Sequence, residues 1–324
     1  MLASARRRGV LGVLAFILAV VAAEVADAQT CSFSITNVNF GNIDVSANTV
    51  FDTTATFSAN CTGNGNRRIR ICPSIGLGTG GSTTGNPRFL LSGANQLNFN
   101  LYSDSARTTV WGSYFWGFAF TPPTIDIQLQ NGLGSITRTI FARVSAAQQT
   151  KPSGTYISAF TGTNTAIAYA YTRGNSNNCA AIGGTNITRA PFTVTATNVT
   201  TCSVTATTVD FGTTGVIQTA VNATGTLSIT CTASAPYTVS LNGGNDAATN
   251  PTLRKMSKGA EKITYGLYRD SARTLPWGST ISVDTAAGTG TGLAQTLTVY
   301  GRVPAQTTPS PGLYTDTIVA TVTY

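Results

Sequence analysis

The sequence contains no histidine, and only 10% of its 324 residues are charged. Histidine is the usual general base, the partner of serine and cysteine nucleophiles, and the commonest zinc ligand. Two glutamates occur, and Glu24 lies in a segment assigned below to export, so Glu261 is the only one in the remainder. A pair of aspartates could still serve a glycosidase. The inventory disfavours an enzyme, and we expect no catalytic residue, no cofactor and no metal.

Long apolar runs are also scarce, and the single one precedes a processing site. Three arginines, residues 6–8, come before an apolar run over residues 10–21. Ala26-Asp27-Ala28 then supplies the small-x-small pattern of a cleavage site. We predict that residues 1–28 are a signal peptide. No later run is long enough to span a bilayer, so residues 29–324 are expected to leave the cytoplasm.

A sustained helical period is absent as well. Gly, Thr, Asn, Ser and Ala dominate, and short apolar runs alternate with polar residues, which is typical of an all-β protein. The formal net charge is +8, but the basic residues are scattered along the chain. Nucleic-acid binding needs a concentrated basic footprint, so we expect no nucleic-acid partner.

The chain contains an internal sequence repeat. Three blocks recur in the same order: "CSFSITNVNFGNIDV" from Cys31 and "CSVTATTVDFGTTGV" from Cys202, "LYSDSARTTVWG" from Leu101 and "LYRDSARTLPWG" from Leu267, and "FARVSAAQQTKPSGTY" from Phe141 and "YGRVPAQTTPSPGLY" from Tyr300. A period this long indicates duplicated domains rather than a solenoid. We predict two tandem β domains, residues 29–200 and 201–324.

The six cysteines all lie in the exported part, and an even number in an oxidising compartment indicates disulfides. The repeat aligns the pair Cys31–Cys61, 30 positions apart, with the pair Cys202–Cys231, 29 apart. One equivalent bond in each domain is therefore favoured, and closing such a loop contributes roughly 3 to 4 kcal/mol in the chain-entropy model. The pair Cys72–Cys179 remains for a third bond. Metal binding is the alternative, which the absence of a CxxC motif disfavours.

The most tempting catalytic motif also belongs to the repeat. Asp104-Ser105-Ala106-Arg107 recurs as Asp270-Ser271-Ala272-Arg273, each time between a Leu-Tyr and a Trp-Gly. A carboxylate and a hydroxyl beside an arginine could suggest chemistry. Side-chain bonds to the backbone of a turn and a local ion pair explain the same residues in both copies. We expect a structural turn.

At these residues the chain resembles a known family. The opening Cys31 to Phe40-Gly41, its copy Cys202 to Phe211-Gly212, and the shared "LY.DSART..WG" block are similar to the spore coat protein U domain. That family includes pilin subunits of archaic, Csu-type chaperone-usher pili. The resemblance implies immunoglobulin-like β-sandwiches of the pilin type that lack a last strand and borrow one from the next subunit.

The two domains differ in whether they carry that last strand. The second stops at Tyr324, directly after the strand "TDTIVATVTY". The first continues into "APFTVTATNVT" from Ala190, where Phe192, Val194 and Ala196 alternate with threonines as in a strand with one buried face. We predict a self-complementing strand over about residues 190–200 and an unfilled acceptor groove in the second domain.

The start of the exported chain agrees with this interpretation. After cleavage only Gln29 and Thr30 precede Cys31, which is too little to donate as a strand. The protein is therefore expected to accept a strand and not to give one. Two-domain subunits of the resembled family stand at the fibre tip and act as adhesins, so the resemblance implies a tip position.

One aromatic stretch is present in the first copy alone. Trp111 to Phe141 spans 30 positions and Trp277 to Tyr300 spans 23, so the first domain has about seven more residues here. Contiguous exposed apolar patches usually mark contact sites. We expect an exposed loop at the end of the first domain farthest from the second, together with the loops after Pro73 and over residues 172–190. The predicted surface-binding residues are Tyr114, Phe115, Trp116, Phe118, Phe120, Ile75, Leu77, Ala180, Ala181 and Ile182.

The sequence and the resemblance together predict a tip adhesin of a chaperone-usher pilus. It would pass through the periplasm to the cell surface and bind hydrophobic or abiotic surfaces during biofilm formation. The implied partners are a periplasmic chaperone, an outer-membrane usher and the N-terminal donor strand of the next pilin. Two alternatives remain. One is a lectin-like adhesin in which Trp116 or Tyr114 stacks on sugar rings, and the other is a structural coat or fibre subunit whose aromatics are core.

Overall fold

The computed structural model of the chain describes residues 29–117, 119–172, 179–182 and 186–324. The predicted signal peptide, residues 1–28, lies outside the described residues. The predicted all-β fold is confirmed, because the described elements are strands and three short 3-10 helices over Val45–Ala47, Gly162–Thr165 and Cys179–Ile182. No helix in these described ranges is both long and apolar enough to cross a membrane.

The described part of the first domain contains twelve strands. They are β1 (Thr30–Ile35), β2 (Val38–Ile43), β3 (Phe51–Thr62), β4 (Arg68–Pro73), β5 (Arg88–Ser92), β6 (Asn95–Tyr102), β7 (Ile125–Gln128), β8 (Leu133–Val144), β9 (Gly154–Phe160), β10 (Ala166–Tyr171), β11 (Ile187–Arg189) and β12 (Phe192–Asn198). One sheet has the order β1-β3-β8-β6-β5-β9-β12-β2, and the facing sheet has the order β11-β10-β4-β7. Apolar and polar residues alternate along β3 and β12, which places one face of each strand in the core.

The second domain contains eight strands. They are β13 (Cys202–Ala206), β14 (Val221–Cys231), β15 (Pro236–Leu241), β16 (Arg254–Lys258), β17 (Glu261–Tyr268), β18 (Ala286–Thr289), β19 (Gln295–Val303) and β20 (Ala320–Thr323). Its sheets have the orders β13-β14-β19-β17-β16 and β18-β15-β20. The first of these matches β1-β3-β8-β6-β5, so the repeat in the sequence is a repeat in the fold.

Each copy has its own hydrophobic core. One is drawn from buried residues between Cys31 and Ala196, and the other from residues between Ile217 and Val303. Three disulfides are formed, Cys31–Cys61, Cys72–Cys179 and Cys202–Cys231, so the predicted pairing is confirmed. The two domains are in contact where Pro152 forms a β-bridge with Ala233.

Candidate functional site: a strand groove and an aromatic loop

In the first domain β12 is inserted between two other strands. It pairs antiparallel with β9 from Phe192–Phe160 to Asn198–Gly154, and parallel with β2, where Val194 lies opposite Val38. The predicted inward-facing residues Phe192, Val194 and Ala196 are all buried. Burying such side chains contributes roughly 1.5 to 3 kcal/mol for each large one, so β12 closes this side of the core.

Both ends of β12 are anchored by specific contacts. At the start, the ring of Phe192 stacks on Phe160 with centroids 4.6 Å apart. At the end, the buried Asn198 side chain donates to the carbonyls of Lys151 and Pro152 at 3.1 and 3.0 Å, and accepts from the Val45 N–H at 3.2 Å. Asn198 was not among the predicted residues, because a single polar residue at the end of a strand has no sequence signal of burial.

The second domain lacks the equivalent of β12 among its described strands. Residues 312–318 lie beside β16 through a bridge between Ser257 and Thr315, as β9 lies beside β5. Residues 209–214 correspond to β2 but carry no strand assignment. We call the space bordered by these two segments the acceptor groove.

Burial differs sharply between equivalent positions of the two domains. Val45 is 3% exposed, whereas its counterpart Val216 is 69% exposed. The same contrast holds inside the groove, where side chains that are fully buried in the first domain have half-buried counterparts in the second. The pairs are Val38 and Val209, Leu90 and Met256, Leu97 and Ile263, Tyr156 and Tyr314, and Phe160 and Ile318. The second core therefore stays partly open along this groove.

The aromatic loop, residues 112–121, is a hairpin whose tip is exposed. Its ends are joined by bonds from the Gly112 N–H to Thr121 and from the Ser113 N–H to Phe120. Tyr114 is 40% and Phe115 is 52% exposed. Phe120 is half-buried. Phe118 lies outside the described residues.

Trp116 corrects the prediction of an exposed cluster. Its side chain is only 8% exposed, and its ring covers the guanidinium of Arg88, which lies 4.7 Å from the ring centroid. The face of an aromatic ring attracts a cation, and the attraction is stronger when both are removed from water. Trp116 is therefore part of the base of the loop, and Tyr114 and Phe115 form its exposed side.

Arg88 organises the base of this loop and was missed in the sequence. It is fully buried and donates to the carbonyls of Gly76, Ile75 and Trp111 at 2.7, 2.9 and 2.6 Å, and to the Asn100 side chain. Burial lowers the pKa of its guanidinium to about 9. Aligning the repeats could have revealed it, because Arg254 makes the same bonds to Asn242, Leu241 and Trp277.

The loops predicted to cluster are brought together, but not all of their residues are exposed. The Tyr114 N–H bonds the Ser74 hydroxyl at 3.3 Å, and the Thr124 hydroxyl lies 3.3 Å from Cys179 Sγ. Ile75 is 0% exposed, so its predicted surface role is wrong; it lies in the core beside Arg88. Leu77 and Ile182 are half-buried. The side chains of Ala180 and Ala181 lie outside the described set.

The position of the loop also differs from the prediction. β8 runs from Leu133 to Val144, roughly 36 Å at 3.3 Å per residue, and leads into the segment that contacts the second domain. The turns 63–67 and 129–132 lie beside Leu133, at the end of β8 that is away from the second domain. At the same end, Arg68 of β4 pairs with Gln128 of β7. The aromatic loop lies at the opposite ends of β4 and β7. The far end of the first domain is therefore formed by polar turns, not by the aromatic loop.

A shallow groove of about 650 Å³ occupies that far end. Seven of its ten lining residues carry amide or hydroxyl side chains, none is charged, and one is an exposed leucine. The lining residues are Thr30, Ser32, Asn60, Cys61, Thr62, Gln128, Gln130, Leu133, Gly134 and Ser135. Uncharged donors and acceptors of this kind suit a neutral polar ligand.

The repeated Asp-Ser-Ala-Arg motif forms a turn, as predicted. The Asp104 carboxylate accepts from the N–H groups of Thr108 and Thr109 at 2.6 to 3.1 Å, and Asp270 does the same for Thr274 and Leu275. The bond from the Thr108 N–H is the main reason that the pKa of Asp104 falls to about 2. No three His, Cys, Asp or Glu side chains in the described ranges could jointly hold a metal ion.

Comparison with known proteins gives a consistent family. The model of the Spore Coat Protein U domain matches residues 17–163 and 188–321. Protein U of Myxococcus xanthus is 38% identical over 112 residues, which is 31% of this chain and 59% of that protein. The chain thus matches less than two thirds of the length of this relative.

One similar solved structure has the same fold at low sequence identity. A chain from the complex of a chaperone with the tip adhesion subunit of archaic Csu pili of Acinetobacter baumannii has a TM-score of 0.50 and 14% identity, covering 91% of this chain and 100% of that one. The CupB6 tip adhesin from Pseudomonas aeruginosa has a TM-score of 0.38 and 12% identity, covering 92% and 94%.

Proposed function

Because this chain belongs to the Spore Coat Protein U domain family, we propose that it is a two-domain subunit of a chaperone-usher pilus whose second domain accepts a strand from another subunit. The main observation in support of this proposal is the structural difference between the two domains. β12 fills the space between β9 and β2, whereas the acceptor groove is bordered by half-buried apolar side chains. An added strand would supply main-chain bonds and bury alternate side chains, as in the donor-strand complementation of pilins.

We place the subunit at the fibre tip, because one of its domains already holds its own strand. The similar structure contains a tip adhesion subunit bound to its chaperone. By analogy, a periplasmic chaperone would occupy the acceptor groove before an outer-membrane usher exchanges it for the next pilin. The mature protein would then stand on the outside of the cell.

Periplasmic expression of the whole chain tests the acceptor role. Hydrogen exchange would be compared for protein made with and without the cognate chaperone. We expect β9 and β12 to be protected in both samples, and residues 209–216 and 312–318 to be protected only in the chaperone complex. Equal protection of these segments in both samples would remove the basis of the proposal.

We further propose that Tyr114 and Phe115 contact the target, a hydrophobic or abiotic surface, during biofilm formation. Their exposed rings would be buried at roughly 25 cal/mol per Å² of apolar area. A single loop offers little area, so attachment would depend on many fibres acting together. Leu77 and Phe120, half-buried beside the loop, would widen the contact.

Cells carrying Tyr114→Ser together with Phe115→Ser test this contact. The matched control is Leu275→Ser, because Leu275 is 51% exposed and lies in the second domain. We expect normal piliation in both strains and weaker attachment to polystyrene in the double variant alone. Undiminished attachment by normally piliated cells would leave a structural fibre subunit as the better description.

The polar groove at the far end of the first domain favours a second candidate, a glycan-binding adhesin. Its amide and hydroxyl lining resembles the donors and acceptors that orient sugar hydroxyls. Free oligosaccharides would then inhibit adhesion, and Gln130→Ala or Asn60→Ala would weaken it without affecting attachment to polystyrene. Adhesion that no glycan inhibits would exclude this candidate.

A further inference from the structure

The strand that closes the first domain shows what the second domain would accept. Along β12, the inward side chains lie opposite alternate residues of β9, with Phe192 opposite Phe160 and Ala196 opposite Tyr156. Aligning the two copies of the repeat identifies the residues of the acceptor groove that are equivalent to these β9 residues. The counterparts of Phe160, Ser158, Tyr156 and Gly154 are Ile318, Asp316, Tyr314 and Gly312.

The end of β12 makes the most specific contact. Asn198 is 1% exposed, and its amide group donates to the carbonyls of Lys151 and Pro152. The carbonyl of Pro152 accepts a second bond from the Tyr156 hydroxyl at 2.8 Å. A buried carboxamide thus recognises a carbonyl pair that the tyrosine of β9 holds in place.

The second domain repeats this arrangement up to the asparagine. The Tyr314 hydroxyl lies 2.7 Å from the carbonyl of Ser310, the counterpart of Pro152, so the carbonyl occupies the same place. Glu261 fixes the segment by accepting from the Ser310 N–H at 3.0 Å. A carbonyl oxygen has two acceptor sites, and the second is used in the first domain by Asn198.

The rest of the groove tolerates an apolar partner. Asp316 replaces Ser158 on the inward face, but its carboxylate accepts from the Tyr265 hydroxyl at 2.6 Å and the Asn245 N–H at 2.7 Å. Its charge is therefore satisfied within the domain. An incoming strand can present an aliphatic residue there, as β12 presents Val194 to Ser158.

We propose that the acceptor groove selects a strand whose inward residues are, in order, a large apolar, an aliphatic and a small residue followed by a carboxamide. The strand would run antiparallel to residues 312–318 and parallel to 209–214, and its terminal asparagine would bind the carbonyls of Pro309 and Ser310. This inference rests on the proposed acceptor function. It names the partner by side-chain chemistry, and the carboxamide would set the register of the strand.

Peptide titration into the whole mature protein tests the proposal. The probe is the peptide "APFTVTATNVT", which copies residues 190–200, and protection of residues 312–318 from hydrogen exchange reports where it binds. The key variant peptide carries Asn198→Asp, which keeps the shape but removes the donors. Loss of bonds to buried carbonyls typically weakens binding by about 5- to 100-fold.

Two further peptides separate the possible failures. Thr193→Val faces outward and should bind like the parent, whereas Phe192→Ser removes the main apolar anchor and should bind poorly. Equal affinity of the parent and the Asn198→Asp peptide would overturn the carboxamide selection while leaving strand acceptance intact. Failure of the parent peptide to bind would overturn the acceptor function itself.

Discussion

Two buried arginines hold equivalent turns in the two domains. Arg88 donates to three main-chain carbonyls and Arg254 to four, and in each case one of them is from a tryptophan. A planar guanidinium presents five N–H donors in a fixed fork, whereas a lysine ammonium has three on a flexible stem, so arginine is better suited to bonding several carbonyls in a set geometry. Burial lowers the pKa of Arg254 too. These arginines order the turns.

Replacing Arg88 by Met should destabilise the first domain by about 3 kcal/mol, because three buried carbonyls lose their donors. Hydrogen exchange of each domain measures this separately. Arg254→Met should act on the second domain alone, and the exposed Arg138→Met should change stability by less than about 0.5 kcal/mol. Unchanged exchange of the first domain in the Arg88→Met protein would contradict the assigned role.

Glu261 should make the second domain sensitive to acid. Bonds from Ser310 hold its pKa at about 2, below the ordinary value of 4.5. A lowered folded-state pKa stabilises the native state above pH 4.5, and this stabilisation is lost as the pH falls towards 2. Glu261→Gln should flatten the loss of stability in that range, measured by urea unfolding at several pH values. If the free energy of unfolding of the variant fell with decreasing pH as steeply as that of the wild type, Glu261 would not be the cause of the acid sensitivity.

At the scale of elements, β12 is the difference between the two domains. Alternation of apolar residues and threonines predicted both the strand and its inward face. The sequence could not show that β12 pairs parallel with β2 while pairing antiparallel with β9, because the pairing with β2 joins residues more than a hundred positions apart. For the aromatic loop, the composition was misleading. It predicted that the whole cluster is exposed, whereas Trp116 is buried because its ring packs on the buried Arg88.

Phe192→Ala should cost the first domain about 3 to 5 kcal/mol, since it removes a ring that stacks on Phe160 and leaves a cavity. We expect faster amide hydrogen exchange in β9 and β2 and unchanged exchange in the second domain. Thr193→Ala on the same strand, facing away from the core, is the control and should have little effect. Equal effects of the two changes would show that β12 does not close the core.

At the scale of the whole molecule, the two domains touch through a close backbone contact. A Cβ on Gly292 would lie 1.8 Å from the carbonyl oxygen of Gln149. Gly292 also has a φ of +79°, a conformation that disfavours other residues. The contact joins a turn of the second domain to the loop between β8 and β9.

Gly292→Ala should therefore separate the two loops and loosen the joint between the domains. Small-angle scattering should show a broader distribution of interdomain distances, with hydrogen exchange inside each core unchanged. Gly259→Ala is the matched control, because Gly259 has a φ of +58° and a Cβ there would meet nothing within 4 Å. Identical scattering of the two variants would mean that the contact does not set the domain arrangement.

Some properties of this protein depend on local patterns and could be found in the chain alone. The duplication, the all-β class and the disulfide pairs follow from spacing and alternation, which a strand imposes residue by residue. Other properties depend on contacts between distant segments. The tertiary structure decided that Trp116 and Ile75 are buried, that polar turns form the far end, and that Asn198 enters the core. These outcomes depend on which distant side chains form hydrogen bonds with buried charges and carbonyls. No local sequence pattern determines those contacts.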